Sequence, residues 1–339
     1  MQVNLISDTV TKPTQEMLEY MMRAEVGDDV FGTDPSVNEL QKRMAEMFGM
    51  EAGLFCPSGT MTNQIAIKCH TRPLDEIICE EGTHVYQYET GGYAFNSGVA
   101  VRLLQGKNGK ISADMLTSCA RPLQDWLPES RLVVIENTTN RGGGSYYTLD
   151  EMQAIKNECR KQGWYLHLDG ARIFHAIVEA GYSPKDLGPL FDSISVSLSK
   201  GLGAPVGSVL LGDEQMIKAA RRYRKVMGGG MRQAGFLAAA GIFALDHHVL
   251  RLKEDHRRAK RLESVLKTLD YVSDVKPVQT NIVIFDLKAP LTADVFLSYL
   301  EEKGVLASAF GPSTIRFVTH LDVDDSMIDQ VVDALQKYK

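Results

Sequence analysis

The sequence contains little cysteine, and its cysteines lack the spacing of a metal site or a disulfide framework. Five cysteines are scattered over 339 residues, and no two of them form a Cys-x-x-Cys pair. Small disulfide-rich folds and zinc-binding modules use regular cysteine spacings, so neither class is expected here. We therefore expect a reducing, cytoplasmic environment and predict no metal ligands.

Long apolar runs and an excess of positive charge are also absent. Charged residues make up 24% of the chain, and the formal net charge is -6 at pH 7. Nucleic acids and anionic membranes attract basic surfaces, and a spanning helix needs about 20 consecutive apolar residues. The first residues lack a basic start followed by an apolar run, so we expect no targeting segment. These features predict a soluble protein without a nucleic-acid or membrane partner.

Strand-like and helix-like segments alternate through the middle of the chain, which predicts an α/β fold with a mostly parallel sheet. From about residue 245 a long charged helix, two strands and a further helix indicate a small α+β domain. We predict an arm near the functional site (residues 1–20), a large domain (21–245) and a small C-terminal domain (246–339). The predicted central strands cover residues 132–136, 164–169, 193–198 and 208–211.

An aspartate and a lysine lie at the ends of two of these strands. Asp169 closes one strand in His-Leu-Asp-Gly-Ala-Arg, and Lys200 follows another in Ser-Leu-Ser-Lys-Gly-Leu-Gly. Parallel strands bring their carboxyl ends to one edge of a sheet, where ligands bind. A lysine there can form a Schiff base with a carbonyl group, and an aspartate can keep a pyridinium nitrogen protonated. Each residue alone has an ordinary structural alternative, a turn lysine or a helix cap, but together they predict a pyridoxal phosphate site.

Hydroxyl groups gather where an early helix begins. Ser58, Gly59 and Thr60 follow the apolar run 53–56 and precede a predicted helix. The free N–H groups and the dipole of a helix start suit a phosphate group. The alternative is an ordinary Ser/Thr helix cap, which would be the better interpretation if this segment stood alone.

His84 follows another predicted strand, and Tyr88 comes four residues after His84 in a glycine-containing loop. An imidazole in this position could stack on a flat ring or exchange a proton near neutral pH. The alternative is a hydrogen-bonded structural histidine. We interpret His70, His167 and His175 in that structural way.

Arginines are the candidates for binding the carboxylate of an amino-acid substrate, because their planar fork can donate two parallel hydrogen bonds. Arg172 follows Asp169 closely, and Arg316 lies in an alternating strand-like segment. A surface salt bridge is an equally open interpretation of Arg316 from the residues alone. Lys225 and Arg232, in basic and glycine-rich segments, could supply further anion contacts.

Ordered motifs span nearly the whole chain. They are Ser7-Asp8-Thr9-Val10-Thr11-Lys12-Pro13-Thr14, Gly27-Asp28-Asp29-Val30-Phe31-Gly32, Ser58-Gly59-Thr60-Met61, Glu136-Asn137-Thr138, Leu168-Asp169-Gly170-Ala171-Arg172, Ser199-Lys200-Gly201 and Gly228-Gly229-Gly230-Met231-Arg232-Gln233. With these motifs the chain resembles the L-threonine aldolases, relatives of the β-eliminating lyases within the aspartate-aminotransferase fold type (fold type I) of pyridoxal phosphate enzymes.

The resemblance implies a role for each candidate residue. Lys200 would form the internal aldimine, Asp169 would pair with the pyridine nitrogen, and His84 would stack on the ring. The implied phosphate ligands are Ser58, Gly59 and Thr60, and the implied ligands of the substrate carboxylate are Ser7, Arg172 and Arg316, with Arg172 also beside the cofactor. The resemblance also implies that Lys225 and Arg232 reach the cofactor of a neighbouring subunit. The active form is accordingly expected to be a homo-oligomer, a homotetramer.

Two positions depart from the family pattern. Thr139 stands where the family often has histidine in Glu-Asn-Thr-His-Asn, and Trp126 stands where many members carry a second active-site histidine. The second change removes a partner for the β-hydroxyl group of the substrate. Trp126, like Tyr88, is expected to border the substrate, so the threo or allo preference and the base are open.

The resemblance implies retro-aldol cleavage of L-threonine or L-allo-threonine to glycine and acetaldehyde. His84, or a water that it positions, is the candidate base. One alternative is a β-eliminating lyase acting on an aromatic or sulfur-bearing amino acid, which Trp126 keeps open. Another is a non-catalytic ligand-sensing protein, since a fold alone does not specify function. The complete set of candidate residues argues against the last alternative.

Overall fold

The computed structural model describes residues 2–338 of the chain. Its strands are β1 (Val3–Asn4), β2 (Ala52–Cys56), β3 (Asp75–Glu80), β4 (Ala100–Leu104), β5 (Glu129–Glu136), β6 (Tyr165–Gly170), β7 (Ser193–Ser197), β8 (Ser208–Gly212), β9 (Val272–Val275), β10 (Ile282–Leu287), β11 (Val305–Leu306), β12 (Ser308–Ala309) and β13 (Thr314–Val318).

Helices connect and cover these strands. They are α1 (Gln15–Met22), α2 (Pro35–Phe48), α3 (Gly59–His70), α4 (His84–Gln87), α5 (Gly92–Ser97), α6 (Ala113–Cys119), α7 (Leu149–Gln162), α8 (Ile173–Ala180), α9 (Glu214–Val226), α10 (Gly235–His247), α11 (Leu252–Leu266), α12 (Ala293–Glu302) and α13 (Asp325–Lys337). Within residues 2–338, every helix is too short or too polar to cross a membrane.

A seven-stranded sheet in the order β2-β8-β7-β6-β5-β3-β4 forms the centre of the large part. Neighbours from β7 through β4 are parallel, and β8 is antiparallel to both β7 and β2. The predicted α/β class with a mostly parallel sheet is confirmed. Helical connections between parallel strands leave the loops after their carboxyl ends at one edge.

Both faces of this sheet are covered. On β5, Val133 and Ile135 pack into the largest apolar core, whereas Leu132 and Val134 pack into a smaller core on the opposite face. All four side chains are buried. Successive strand residues point to opposite faces, so a strand buried on both sides has a continuous apolar sequence instead of an alternating one.

The C-terminal part has its own core on an antiparallel sheet, ordered β12-β13-β10-β9. Phe285 of β10 and Phe317 of β13 pack edge to face, and Phe296 of α12 packs against Phe285. This arrangement agrees with the predicted small α+β domain. The predicted boundary at residue 245 falls near the end of α10 and stays a prediction.

The N-terminal residues touch both cores. Strand β1 pairs in parallel with β11, and Val3 and Leu5 are buried in the C-terminal core. Helix α1 instead packs against α10 of the large part. The described residues of the predicted arm (2–20 of residues 1–20) therefore consist of a strand on the small part, a connecting segment and most of α1.

Asp34 joins three backbone segments at the start of α2. Its Oδ1 accepts a hydrogen bond from the Val37 N–H at 3.0 Å, as a helix cap does. Its Oδ2 accepts from the N–H of Gly235 at 2.9 Å and from the N–H of Gly27 at 3.2 Å. Because the side chain is fully buried, water cannot replace these contacts.

We expect Asp34→Ala to lower the free energy of unfolding by about 2 to 4 kcal/mol, since it leaves buried N–H groups without acceptors. The control is Asp324→Ala, which removes an exposed cap of α13. Loss of such a cap should cost about 1 kcal/mol. Urea unfolding followed by circular dichroism measures both losses. Equal losses would mean that the contacts to Gly27 and Gly235 contribute nothing.

Candidate active site

Polar groups meet at the carboxyl edge of the central sheet. Glu136 ends β5, Asp169 is the penultimate residue of β6, and Lys200 follows the end of β7. These three strands are neighbours in the order β5-β6-β7 and are parallel, so their carboxyl ends share one edge. The two sequence-predicted residues, Asp169 and Lys200, are thus brought to the same crevice.

The Lys200 amine is half-buried and lies 3.5 Å from the Ser197 hydroxyl oxygen. Burial, with a further contribution from the positive charge of Arg172, lowers the pKa of Lys200 from its ordinary value. A lowered pKa increases the fraction of neutral amine, which is the form that attacks a carbonyl carbon.

Asp169 is 2% exposed and is held by donors on both oxygens. Its Oδ2 accepts from the Asn63 side-chain amide at 2.8 Å, and its Oδ1 accepts from the Ala171 N–H at 3.1 Å. These contacts orient a negative charge towards the crevice, where it can meet a protonated ring nitrogen.

His84 begins α4, and its ring is tied to Glu89. The distance from His84 Nδ1 to Glu89 Oε1 is 2.8 Å. Burial by itself lowers the pKa of His84, but the hydrogen bond to Glu89 and the charge of Asp169 more than reverse this, so the pKa is raised. Ligand atoms of His84, Glu89 and Asp169 lie within 4.8 Å of one another. The His84–Glu89 hydrogen bond and the Asn63 amide, which donates to both Glu89 and Asp169, account for this grouping, and we predict no metal there.

Glu136 connects two loops of the site. Its carboxylate accepts from the backbone N–H of His84 at 2.9 Å and from that of Asn140 at 2.8 Å. Burial and the nearby charge of Asp169 raise the pKa of Glu136 to about 7. The side chain thereby fixes His84 on one side and Asn140 on the other.

The start of α3 lies next to Lys200. Ser58 caps the helix, and its hydroxyl oxygen accepts from the Met61 N–H at 3.2 Å. A Cβ atom on Gly59 would lie 2.8 Å from the Ser197 hydroxyl oxygen, which also contacts Lys200. The helix start, with exposed Thr60, therefore borders the lysine. Its free N–H groups suit an anion such as phosphate.

Two arginines converge on the same crevice. Arg172 donates from Nε and Nη2 to the carboxylate of Asp8, both at 2.7 Å, and Asp8 is fully buried. Burial would raise the pKa of Asp8, but the charge and hydrogen bonds of Arg172 hold it well below its usual range. Arg316 donates to the Asn140 side-chain oxygen at 2.8 Å and to the Ile6 carbonyl at 2.9 Å.

Arg316 also lies in an apolar and positively charged environment. Its guanidinium is 4.4 Å from the centre of the Phe310 ring. Burial and the positive charge of Arg172 lower the pKa of Arg316 to about 10. Two buried guanidinium groups that repel each other form a site that an anion would stabilise.

Ser7 and Tyr88 lie at the rim of this crevice. The Ser7 hydroxyl oxygen accepts from the Thr9 N–H at 3.2 Å, and Ser7 immediately precedes Asp8. The Tyr88 ring is 5.5 Å from the His84 ring and 40% exposed.

Comparison with known proteins identifies the family. Residues 4–290 match the beta-eliminating lyase family. The chain belongs to this family. It is 37% identical to low-specificity L-threonine aldolase 1 of Arabidopsis thaliana, over 99% of this chain and 96% of that protein. It is 39% identical to the low specificity L-threonine aldolase of Escherichia coli K12, over 97% of both chains.

Comparison with solved structures supports the same fold for this chain. The Leishmania major threonine aldolase superposes with a TM-score of 0.86 at 21% identity, covering 99% of both chains. A structure of SPT with a PLP internal aldimine superposes with a TM-score of 0.77 at 15% identity, covering 99% of this chain and 86% of that one. At these identities the likeness establishes the fold alone, which is that of fold type I enzymes.

Three predicted site residues lie apart from this cluster. Trp126 is 77% exposed, and the residues on either side of it line a cavity with Asp75 and Glu129, the first residues of β3 and β5. That is the amino edge of the sheet, so the structure does not bring Trp126 to the site of its own chain. Arg232 pairs with Asp28 at the surface, and Lys225 lies in the last turn of α9 and approaches Gly230. Their roles stay predictions.

Several residues of the lyase site were not predicted from the sequence, among them Asp8 and Glu89 as well as Glu136 and Asn140. Asp8 pairs with Arg172 although 164 positions separate them, and Glu89 holds His84. Asp8 lies in a motif next to Ser7, and Glu89 lies in the glycine-containing loop, but neither position indicates its partner. A fully buried aspartate needs hydrogen-bond donors or a cationic partner, yet burial is visible only in the fold.

We expect Glu89→Gln to lower the pKa of His84, since the variant removes the negative charge that stabilises the protonated ring. Titration of the histidine side chains by NMR measures this pKa. The control is Glu81→Gln, an equal change of charge at an exposed position. An unchanged His84 pKa in Glu89→Gln would contradict the assigned pairing.

Proposed function

We propose that this protein is a pyridoxal 5′-phosphate-dependent aldolase that cleaves L-threonine or L-allo-threonine to glycine and acetaldehyde. Its relatives named low-specificity L-threonine aldolase match it along nearly its whole length. The observation that carries the proposal is the grouping at one sheet edge of a lysine with a lowered pKa, a buried aspartate and two converging arginines.

The residues of the site fit the cofactor. The start of α3 offers N–H groups and hydroxyl groups to a phosphate, and Ser197 places Lys200 beside that helix start. Asp169 offers a buried carboxylate for the ring nitrogen, and His84 a flat ring for stacking. When bound, the cofactor supplies an acceptor for the electron pair that remains when the Cα–Cβ bond breaks.

The arginines orient the substrate by holding its carboxylate. Nε and one N–H of Nη2 of Arg172 are fixed by Asp8, so Nη1 and the second N–H of Nη2 are the groups of Arg172 that would meet a carboxylate. Arg316 is held by the Asn140 side chain and the Ile6 carbonyl. Fixing the carboxylate at two points sets the rotation about the bonds at Cα, which decides which bond is aligned for cleavage.

His84 is the candidate to take the proton of the β-hydroxyl group. Its Nδ1 faces Glu89, so the neutral ring carries its proton on Nδ1 and leaves a lone pair on Nε2. A base must be unprotonated to accept a proton, and a raised pKa makes it a stronger base. A water held by Nε2 could perform the same transfer.

The β-eliminating lyase alternative has less support from the site. The sequence feature that favoured it, Trp126, lies at the opposite edge of the sheet within this chain. Both reactions would use the same candidate residues, so these residues do not distinguish the aldolase from the β-eliminating lyase. Analysis of the reaction products does distinguish them.

We further propose a homotetramer in the cytoplasm, with Lys225 and Arg232 reaching the cofactor of a neighbouring subunit. These residues lie near large exposed apolar side chains, Phe31 at 76% and Val226 at 86% exposure, which suit an interface. All five cysteines are free thiols, as expected for a reducing compartment.

The first test is acetaldehyde release from L-threonine and from L-allo-threonine by the cofactor-loaded protein. Lys200→Ala should reduce release from both isomers to background and remove the absorbance of the covalently bound cofactor, because no amine remains to form the bond. Lys253→Ala, at an exposed lysine, should match the wild type. Release of ammonia and a keto acid without acetaldehyde would favour the β-eliminating lyase instead.

Mixed subunits test whether active sites are shared. Lys200→Ala and Arg232→Ala should each be inactive alone, but oligomers assembled from both chains should regain part of the activity. In such oligomers, some sites combine an intact Lys200 with an intact Arg232 from the neighbour. Acetaldehyde release by co-expressed chains measures this recovery. No recovery in confirmed mixed oligomers would place Arg232 outside the neighbouring site.

A further inference from the structure

We propose that Asn63 and His167 are positioning residues that hold the Asp169 carboxylate through a hydrogen-bond chain in which every proton points towards that carboxylate. The chain begins at His70 and passes through Ser193, and the four distances along it are 2.9, 2.8, 3.2 and 2.8 Å. The inference rests on the proposed function, since Asp169 matters there through its charge.

The direction of the chain follows from its last member, Asn63. The side-chain nitrogen of Asn63 lies 2.8 Å from Asp169 Oδ2 and 2.8 Å from Glu89 Oε1. Two carboxylate oxygens can only accept, so the amide nitrogen and not the amide oxygen must face them. Both protons of the amide are thereby used, and its oxygen is left to accept from elsewhere.

His167 supplies the donor for that oxygen. Its Nε2 lies 3.2 Å from Asn63 Oδ1 and must therefore carry a proton. Burial lowers the pKa of His167 to about 3, so the ring is neutral at physiological pH. A neutral ring has one N–H group, which means that Nδ1 is an acceptor.

Ser193 and His70 continue the same order. The hydroxyl of Ser193, 2.8 Å from His167 Nδ1, has to donate to it. The oxygen of Ser193 then accepts from His70 Nε2 at 2.9 Å. Burial lowers the pKa of His70 to about 4, so this ring is also neutral and carries its proton on Nε2.

Helix α3 supports both ends of the chain. Asn63 lies in its first turns and His70 is its last residue, two helical turns further along, so both side chains share one face of the helix. Ser193 begins β7 and His167 lies within β6. The chain is thus fixed by packing of α3 on two adjacent strands.

The charged groups around the histidines leave this assignment intact. The charges that act on His70 come from Asp192, Asp213 and Lys156, and Lys156 pairs with Asp192 at 2.8 Å. On His167, the charge of Asp169 and the Ser193 backbone carbonyl favour protonation, whereas the charge of His70 opposes it. For each ring, burial opposes protonation more strongly than these neighbours favour it, so both rings stay neutral.

The consequence is a set of aligned dipoles that stabilise negative charge on Asp169. Because each donor in the hydrogen-bond chain is committed to one acceptor, the hydrogen-bond chain holds the carboxylate in place. Asn63 also donates to Glu89, which holds His84. One amide therefore sets the positions of both groups that are proposed to contact the cofactor ring. His70 and His167, interpreted as structural from the sequence, act on the site through this chain.

Two substitutions at one position test the proposal. The amide nitrogen of glutamine lies about where histidine Nε2 lies, whereas asparagine reaches only as far as Nδ1. We expect His167→Gln to keep the affinity for pyridoxal phosphate and His167→Asn to lower it about tenfold, because the Asn63 oxygen then loses its donor and the amide loosens. Cofactor titration followed by absorbance measures both, with thermal unfolding to check that the variants are folded. Equal affinities in the two variants would overturn the proposal.

The protonation states are tested on the wild-type chain without cofactor. Nitrogen NMR of the histidine side chains should show His70 and His167 neutral with protons on Nε2 from pH 8 to 5. An Nδ1–H form of His167, or an ordinary pKa for it, would also overturn the proposal. If these protonation states are found but the cofactor-loaded enzyme releases no acetaldehyde, the proposed function is wrong and the proposed hydrogen-bond chain is still supported.

Discussion

Burial of negative charge at the carboxyl edge of the sheet is the constraint around which the rest of the site is arranged. Asp169 is 2% exposed, and Glu89 and Glu136 are nearly as deeply buried. Buried carboxylates require hydrogen-bond donors or cations. Asn63 donates to Asp169 and Glu89, and the loops that carry His84 and Asn140 donate to Glu136. The contacts that satisfy these charges also fix the geometry of the site.

The N-terminal segment holds the two arginines of the site, Arg172 and Arg316, in place. Asp8 is buried against Arg172 of the large part, while Leu5 packs in the core of the small part. The Ile6 carbonyl accepts from Arg316, which belongs to β13 of the small part. Residues 5–8 therefore bring the two arginines to one crevice, although the arginines come from different sheets. The orientation that we propose for a substrate carboxylate would therefore depend on how the two cores pack together.

Local pattern and tertiary contact contributed differently to what could be predicted. Asp169 and Lys200 could be proposed as site residues because each lies at or just beyond the carboxyl end of a buried strand, and parallel strands end at a shared edge. The start of α3 could be identified because helix caps have a local signature. The partners of Arg172 and His84 could not, since a hydrogen bond between distant residues leaves no periodic trace in the sequence. Trp126 was expected beside the substrate from motif alignment, but the fold of this chain places it at the opposite edge.

The sequence by itself determined the α/β class, the strand ends that carry Lys200 and Asp169, and the helix start at Ser58. These features depend on residue periodicity and on interactions between residues that are close along the chain, and both can be recognised in the sequence. Only the tertiary structure decided that His70 and His167 connect to Asp169, that Asp8 neutralises Arg172, and that Glu89 raises the pKa of His84. Charge and hydrogen bonding act over a few ångströms in space, and the folded chain alone fixes those distances.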